Sequence, residues 1–469
     1  MLCSLISHNI NDGAISISNM DRNIIFLTLR AIRMHNKKLH AFFLTTALIC
    51  ITSNSVIAGA SEEPELDSIY NPDKQFKTAL SYLENQKADI DFEQGLKWLK
   101  LAAAQQHADA LSKLGFYYEY GVDSIETDYQ KAAELYKQAA QKGNRAAQFK
   151  LSTLLMRKDT PLYNVERGLH WLEKAAEQGD SEAQYSLAQY WIKSEQTNQE
   201  TKQTITRWLA RAADNGHEAA QYTLAVNYLQ GNYNQINRSK AFHWFHKAAQ
   251  QGDAASQFNI ALMLDQGDGV ETNPEKALEW YKKSAKQKEA GAQFNLGAKY
   301  LFGLGAEKDI KKGIELIKAA AEQGNPAAQT LFGNLLKSGE HIKKDYDQAY
   351  KLYLAAAESG YPEAQYQLSL LFATGQGVIK SNAKSVHWIR QAAHSDHALA
   401  QYGLGAYLAN GVGIEKNLPE AAYWLSKAAA QGQQHAIESR DSVLEQLSNE
   451  QLDDLQSRIS EDFTAPFHP

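Results

Sequence analysis

The chain has 469 residues, 44% of them hydrophobic and 22% charged, so it can bury a core and is not disordered as a whole. Its 9 prolines and 29 glycines exclude a collagen-like or proline-rich structure, and no apolar run reaches the roughly 18 residues of a membrane-spanning helix. A net charge of −6 offers no overall basic field for nucleic acid. Length alone predicts about three globular domains.

The first sixty residues have the pattern of an export signal. A basic segment that begins at Met34 precedes an apolar stretch from Ala41 to Ile51, and Ala58-Gly59-Ala60 has the small-residue spacing of a signal-peptidase site. We therefore predict a mature protein that is periplasmic or secreted. The alternative is a cytosolic regulatory scaffold whose first helix is apolar. The predicted boundaries are an over-extended start at residues 1–33, a signal peptide at 34–60 cleaved after Ala60, and a linker at 61–73.

Both cysteines, Cys3 and Cys50, leave with this leader, so the mature chain is predicted to have no disulfide. A lipid anchor at Cys50 is not favoured because Ile49, rather than a small residue, precedes it. Removing the leader's five basic and two acidic residues changes the net charge from −6 to −9. We expect no stable membrane span after cleavage.

A repeat of 36 residues extends over residues 74–447. Its anchor is Trp-x-x-x-Ala-Ala-x-x-Gly-x-x-x-Ala-Gln, and its steps are 37, 36, 37 and then 36 six times. A register held this long predicts one array of about ten helix–turn–helix units rather than three domains. The first residue of the Ala-Ala pair is found at Ala102, Ala139, Ala175, Ala212, Ala248, Ser284, Ala320, Ala356, Ala392 and Ala428.

The second helix of each unit has Trp, or in places Leu, at one fixed position, which we predict to be core. A glycine such as Gly324 follows this helix, where a left-handed residue ends the helix and turns the chain. Gln106, Lys288 and Asp396 replace that glycine, so strain is expected at their turns. Glycine-rich loops such as Gly267-Asp268-Gly269 connect the first helix of a unit to the second, but they lack the Lys-Ser/Thr of a phosphate-binding loop.

The Ala-Ala-x-x-Gly, Ala-Gln-x-x-Leu-Gly and Gly-x-Gly-Val motifs together resemble the Sel-1-like repeat family, a relative of the tetratricopeptide class. The resemblance covers residues 74–447 and implies an all-α fold, a right-handed α-solenoid of about ten 36-residue repeats. It also implies a scaffold or adaptor, often at the bacterial envelope. Residues 448–469 resemble the polar capping helix that closes such arrays, and Ser448-Asn449-Glu450-Gln451 reads as a capping box.

Catalysis is not predicted. One branch of the family is rich in cysteine and is linked to β-lactam binding and hydrolysis, but this chain lacks those cysteines. A β-lactam- or peptidoglycan-binding hydrolase remains the alternative from another class. The pairs His243/His246 and His394/His397 lack a third ligand, so we read them as solvated side chains and expect no metal and no cofactor.

Aromatic side chains recur two positions after the alanine of each Ala-Gln. The angle of about 200° from that alanine places them away from the core stripe of the first helix. They are predicted either to form a binding ladder for an extended protein partner or to pack between repeats. The partner is expected to be a protein, with envelope or polysaccharide-assembly components as candidates, and not nucleic acid. The candidate residues are Phe149, Tyr185, Tyr222, Phe258, Phe294, Tyr366 and Tyr402.

Two loops depart from the glycine signature, at residues 156–165 and 194–204. They are predicted to be drifted loops, the alternative being partner-specific edges.

Overall fold

The computed structural model describes residues 71–84, 91–194 and 198–464, and the side chains as far as residue 461. The predicted start at 1–33, the signal peptide at 34–60 and most of the linker at 61–73 lie outside the described residues. The chain divides into two compact units, Met1–Glu195 and Gln196–Pro469. The part of the chain that the structure describes contains 22 α-helices and no strand, which confirms the predicted all-α class.

The helices follow one another with short connections. The first unit holds α1 (Pro72–Leu83), α2 (Phe92–Ala104), α3 (Ala108–Tyr120), α4 (Tyr129–Gln141), α5 (Arg145–Leu155), α6 (Val165–Glu177) and α7 (Ser181–Lys193). The second unit holds α8 (Gln199–Asp214), α9 (Glu218–Gln230), α10 (Arg238–Gln251), α11 (Ala254–Gln266), α12 (Pro274–Lys286), α13 (Ala290–Phe302), α14 (Ile310–Glu322), α15 (Pro326–Ser338), α16 (Tyr346–Glu358), α17 (Pro362–Thr374), α18 (Asn382–His394), α19 (Ala398–Asn410), α20 (Leu418–Ala430), α21 (Gln434–Leu444) and α22 (Asn449–Thr464).

Within each unit, a helix packs mainly against the helices before and after it in sequence. We call the odd-numbered helices α1–α19 the first helices of the repeats, and the even-numbered helices α2–α20 the second helices. The second helices begin at polar N-caps; in α12, for example, the Asn273 side chain accepts from Lys276 N at 3.0 Å and Pro274 occupies the first turn. This sequence-local packing is that of an α-solenoid.

Each second helix ends as the glycine pattern predicts. Gly324 has a φ of 85°, in the left-handed region, and its equivalents do the same. Gln106, Lys288 and Asp396 adopt this conformation too, with φ of 65°, 65° and 55°. The turn geometry is therefore kept where glycine is missing, at a cost in backbone strain for a residue that has a Cβ.

The core of the second helices differs from the prediction in one respect. Trp208 and Trp424 are buried, but Trp98, Trp171 and three others are only half-buried. The residue that follows the tryptophan is more deeply buried, because its side chain lies between the two helices of its own repeat. Its residues are at most 2% exposed in every repeat: Leu99, Tyr136, Leu172, Leu209, Phe245, Tyr281, Ile317, Tyr353, Ile389 and Leu425.

The half-buried Trp280 packs toward the preceding repeat, and a lysine lies over its ring and over those of Trp171 and Trp244. His246 of α10 lies 5.9 Å from the Trp280 ring of α12, and Lys283 Nζ lies 4.0 Å from the same ring centroid. His246 is therefore not the solvated side chain that the sequence suggested. Its desolvation in this contact lowers its pKa.

A buried glutamine links consecutive second helices. Gln221, the glutamine of an Ala-Gln, donates from Nε2 to Ala213 O at 2.9 Å and accepts from Gln251 Nε2 at 2.8 Å. The side-chain pair recurs at a spacing of thirty residues in Gln105–Gln75, Gln178–Gln148, Gln287–Gln257, Gln323–Gln293 and Gln431–Gln401. Each link satisfies amide groups that burial would otherwise leave unpaired.

The last helix, α22, closes the second unit on α20. Ser448 N donates to Gln451 Oε1 at 3.0 Å and Gln451 N donates to Ser448 Oγ at 3.3 Å, which confirms the predicted capping box. Leu455 is 7% exposed and belongs to the apolar cluster around Trp424. The guanidinium of Arg458 lies 3.6 Å from the centroid of the Tyr423 ring.

Candidate interaction surface

One side of each first helix is turned away from the core. Counting from the buried alanine of Ala-Gln, or from Ser256 in α11, positions +2, +3, +6, +9 and +10 lie between about 180° and 300° around the helix. We call these five positions the outward face. In α11 they are occupied by Phe258, Asn259, Leu262, Asp265 and Gln266, all half-buried or exposed, whereas Ser256 is 0% exposed.

The outward face of the second unit is almost free of charge. Across α9, α11, α13, α15, α17 and α19, only Asp265 and Lys337 are charged among the thirty positions, of which Leu301 and Thr330 are buried. Both are already engaged: Asp265 accepts from Lys299 Nζ at 2.8 Å, and Lys337 Nζ donates to Gln367 Oε1 at 2.6 Å. Since 22% of the whole chain is charged, this face is set apart from the rest of the surface.

The outward face of the first unit is basic and aromatic instead. Lys150 Nζ lies 5.9 Å from the ring centroids of both Phe116 and Tyr120. Glu119, only 3% exposed, accepts from Tyr136 OH at 2.8 Å and lies 3.5 Å from Arg157. Burial and the neighbouring Glu119 raise the pKa of Tyr120 to about 12, so this phenol is neutral at physiological pH.

The seven predicted aromatic residues are all half-buried. The Phe258 ring lies so close to Gly291 of the next repeat that a Cβ there would be 2.8 Å from Cζ. Tyr222 meets Phe245 at 5.7 Å, and Tyr366 stacks on His397 of the next repeat at 4.9 Å between ring centroids. These three rings therefore contact neighbouring helices or repeats. A role for their open sides in binding stays a prediction.

A polar network on α17 and α19 was not found from the sequence. His397 caps α19, because Ala400 N donates to its Nδ1 at 3.1 Å, so its Nε2 bears the hydrogen. That Nε2 donates to Glu363 Oε2 at 2.8 Å, and Gln367 donates to the same carboxylate at 2.8 Å. The hydrogen bond from His397 lowers the pKa of Glu363. The available signal was the position of His397, three residues before Ala-Gln, where the other repeats place cap residues such as Asp180 and Asn325.

No metal or membrane site is found within the described ranges. They hold no group of three or more His, Cys, Asp or Glu side chains arranged to bind a metal ion. None of their helices combines the length and the apolar character that a membrane span requires.

Comparison with known sequences decides the family. A sequence model of the Sel1 repeat matches residues 75–107, 108–144, 145–180, 207–217, 218–253, 254–289, 290–325, 326–361, 362–397 and 398–433, which is more than half of the chain. The chain belongs to the Sel1 repeat family. The Sel1 match confirms the predicted family and omits residues 181–206, around one of the two irregular loops.

A solved structure agrees with this assignment. The chain is similar to c5321, a protective antigen of uropathogenic Escherichia coli with an SLR fold, at 25% identity and a TM-score of 0.63, over 82% of this chain and 90% of that one. It is also similar to a Sel1 repeat protein from Oxalobacter formigenes, at 29% identity and a TM-score of 0.47, over 52% and 96%. No curated protein matches the chain. Sel1 repeat solenoids are generally protein-interaction scaffolds.

Proposed function

We propose that this protein is an exported, non-catalytic scaffold that binds a protein partner of the cell envelope through the outward faces of its first helices. The observation that supports this most directly is the nearly uncharged outward face of the second unit, with charge at two of thirty positions. Water satisfies the hydrogen-bonding groups of exposed uncharged side chains, so solvation alone does not explain why they are concentrated on one face. A binding role would explain it.

That face offers two kinds of contact. The exposed Gln266, Thr374 and Asn410 can donate or accept hydrogen bonds, as a peptide backbone requires. The open sides of Phe258, Tyr366 and the other aromatic rings offer apolar area between them. A partner segment of low charge fits this face best, because burying an unpaired charge against it would be unfavourable.

Export is supported by the leader pattern at residues 34–60 and by the absence of cysteine from the chain after Ala60. N-terminal sequencing of the protein from a periplasmic extract tests this. A mature start at Ser61 is expected. Recovery of an intact start at Met34 would contradict export.

The binding surface is tested by pull-down from the periplasmic extract followed by mass spectrometry. The test variant is Gln266→Lys with Thr374→Lys, which puts two charges on the outward face. The matched control is Ser239→Lys with Gln348→Lys, which adds the same charge at exposed positions of the second helices α10 and α16. A protein captured by the native chain and the control but lost with the test variant supports the surface. Equal capture by both variants rules it out.

A further inference from the structure

A cleft opens in the second unit between the start of α8 and the loop from Gly231 to Gln235. Both of its sides depart from the repeat. α8 has 16 residues where α6 has 13, and the extra turn lies before the tryptophan position. In the loop, Tyr233 stands where four other repeats have a second glycine and two have Asp123 or His341.

A second glycine lets this loop approach the preceding second helix in three repeats, whereas Gly305 has nothing within 4 Å. In the next repeat, Gly269 lies so close to the first residue of α10 that a Cβ would be 2.5 Å from the carbonyl carbon of Arg238. Gly377 and Gly413 approach the starts of α16 and α18 in the same way. Tyr233 has a side chain where such an approach needs a glycine, and it lines the cleft beside α8. The loop is held by Thr206, whose Oγ1 donates to Asn234 Oδ1 at 2.9 Å.

The lining of the cleft is cationic and rich in amides. Lys202 and Arg207 line it together with side-chain amides and hydroxyl groups, and no carboxylate is among the lining residues. Lys202 is half-buried, yet neither cation forms an ion pair with a carboxylate in the part of the chain that the structure describes. In a chain with 54 acidic and 48 basic residues, two cations without an ion-pair partner in a lining without carboxylates make a local site for negative charge.

We propose that this cleft binds the oxyanion group, a carboxylate or a phosphate, of a small hydroxylated ligand. Lys202 and Arg207 would supply charge-assisted hydrogen bonds, and the amides and hydroxyl groups would bind the neutral part of the ligand. The site is separate from the outward faces and does not depend on the proposed scaffold function. The segment 194–204 was predicted to be a drifted loop, but residues 199–204 form the start of α8, and Lys202 and Gln203 within it line the cleft.

Titration calorimetry at low ionic strength tests the site, with inorganic phosphate, D-glucuronate and D-glucose as probes. At least one of the two anions is expected to bind saturably, and glucose more weakly than that anion. Phosphate alone would indicate a phosphoryl ligand, and glucuronate alone a sugar acid. Lys202→Gln with Arg207→Gln should weaken binding about tenfold or more, as expected when charge-assisted hydrogen bonds are lost.

Arg211→Gln is the matched control. Arg211 lies on the same helix as Arg207, and both contact Trp208: their guanidinium groups lie 4.9 Å and 5.3 Å from its ring, respectively. Arg211 differs in that it does not line the cleft. Asn234→Asp, which keeps an acceptor for Thr206 and adds a negative charge, should also weaken binding. The proposal is wrong if neither anion binds at about 10 mM, if glucose binds as tightly as the anion that binds, or if Arg211→Gln loses as much affinity as the Lys202/Arg207 variant. Circular dichroism confirms that each variant is folded.

Discussion

Single residues show where the repeat tolerates a substitution and what that costs. The turn after a second helix needs a left-handed residue, and Lys288 takes up this conformation with a φ of 65° where Gly324 of the next repeat has 85°. A Cβ at Gly324 would meet nothing within 4 Å, so the cost of a side chain here is backbone strain rather than collision.

We therefore predict that Lys288→Gly raises the free energy of unfolding by about 0.5–1 kcal/mol, because relief of left-handed strain outweighs the entropy of the added glycine. Gly324→Ala should lower it by a similar amount. Urea unfolding of both variants measures the effect. A stability unchanged or reduced by Lys288→Gly would show that this turn is not strained.

A second prediction concerns acid. The hydrogen bond from His397 lowers the pKa of Glu363 in the folded state, so Glu363 binds a proton less readily folded than unfolded. Ionised Glu363 stabilises the fold at any pH above the usual pKa of a carboxyl group. This stabilisation is lost as the pH falls from that pKa to the lower pKa of the folded state. Glu363→Gln should therefore reduce the loss of stability between neutral and acid pH. Thermal unfolding over this pH range tests it, with the exposed Glu358→Gln as control; equal pH curves for both variants would refute it.

At the scale of helices, stability depends on links that recur with the repeat. Gln221 is 3% exposed and joins the ends of α8 and α10 through its two hydrogen bonds. Gln221→Leu would leave Ala213 O and the Gln251 amide without this partner, and we predict a loss of about 1–3 kcal/mol. Gln266→Leu, at an exposed position of α11, should change the urea midpoint little. Equal losses for both would mean that the link contributes nothing specific.

The helices could be predicted well from the sequence because the residues that start and end each helix recur from repeat to repeat. The left-handed turn at Gly324, the capping box at Ser448 and the period all follow from residue chemistry that acts locally. Burial at the tryptophan position was overestimated, because Trp280 and its equivalents lie at the seam between repeats, where only part of the ring is covered.

The sites were less predictable, because they depend on contacts between repeats. The Ala-Gln motif was recognised, but the bonds of Gln221 to α8 and α10 require the stacked helices. The outward face needs several helices side by side before its lack of charge becomes visible. The cleft at Lys202 and Tyr233 arises from two irregularities about thirty residues apart in sequence, and periodicity gives no reason to join them.

For the molecule as a whole, the two units offer different surfaces for binding. The outward face of the first unit presents Lys113, Lys150 and Lys193, while that of the second unit is nearly uncharged. If the partner binds the second unit as proposed, its affinity should change by less than about threefold between low and physiological salt, since screening acts on charges. Binding measured at several salt concentrations tests this. A steep fall with salt would instead assign the contact to the basic face.

The glutamine links also bear on how such a gene can change in length. Gln329 donates to Ala321 O at 3.3 Å and Gln365 donates to Ala357 O at 3.2 Å, so each repeat offers its successor the same acceptor. Deleting residues 326–361 would bring Gln365 into the place of Gln329, with Ala321 O as its acceptor. The shortened protein should still fold, whereas a deletion of half a repeat should not. Unequal recombination between repeats can therefore lengthen or shorten this chain in steps of 36 residues, because the new junction keeps the glutamine hydrogen bond.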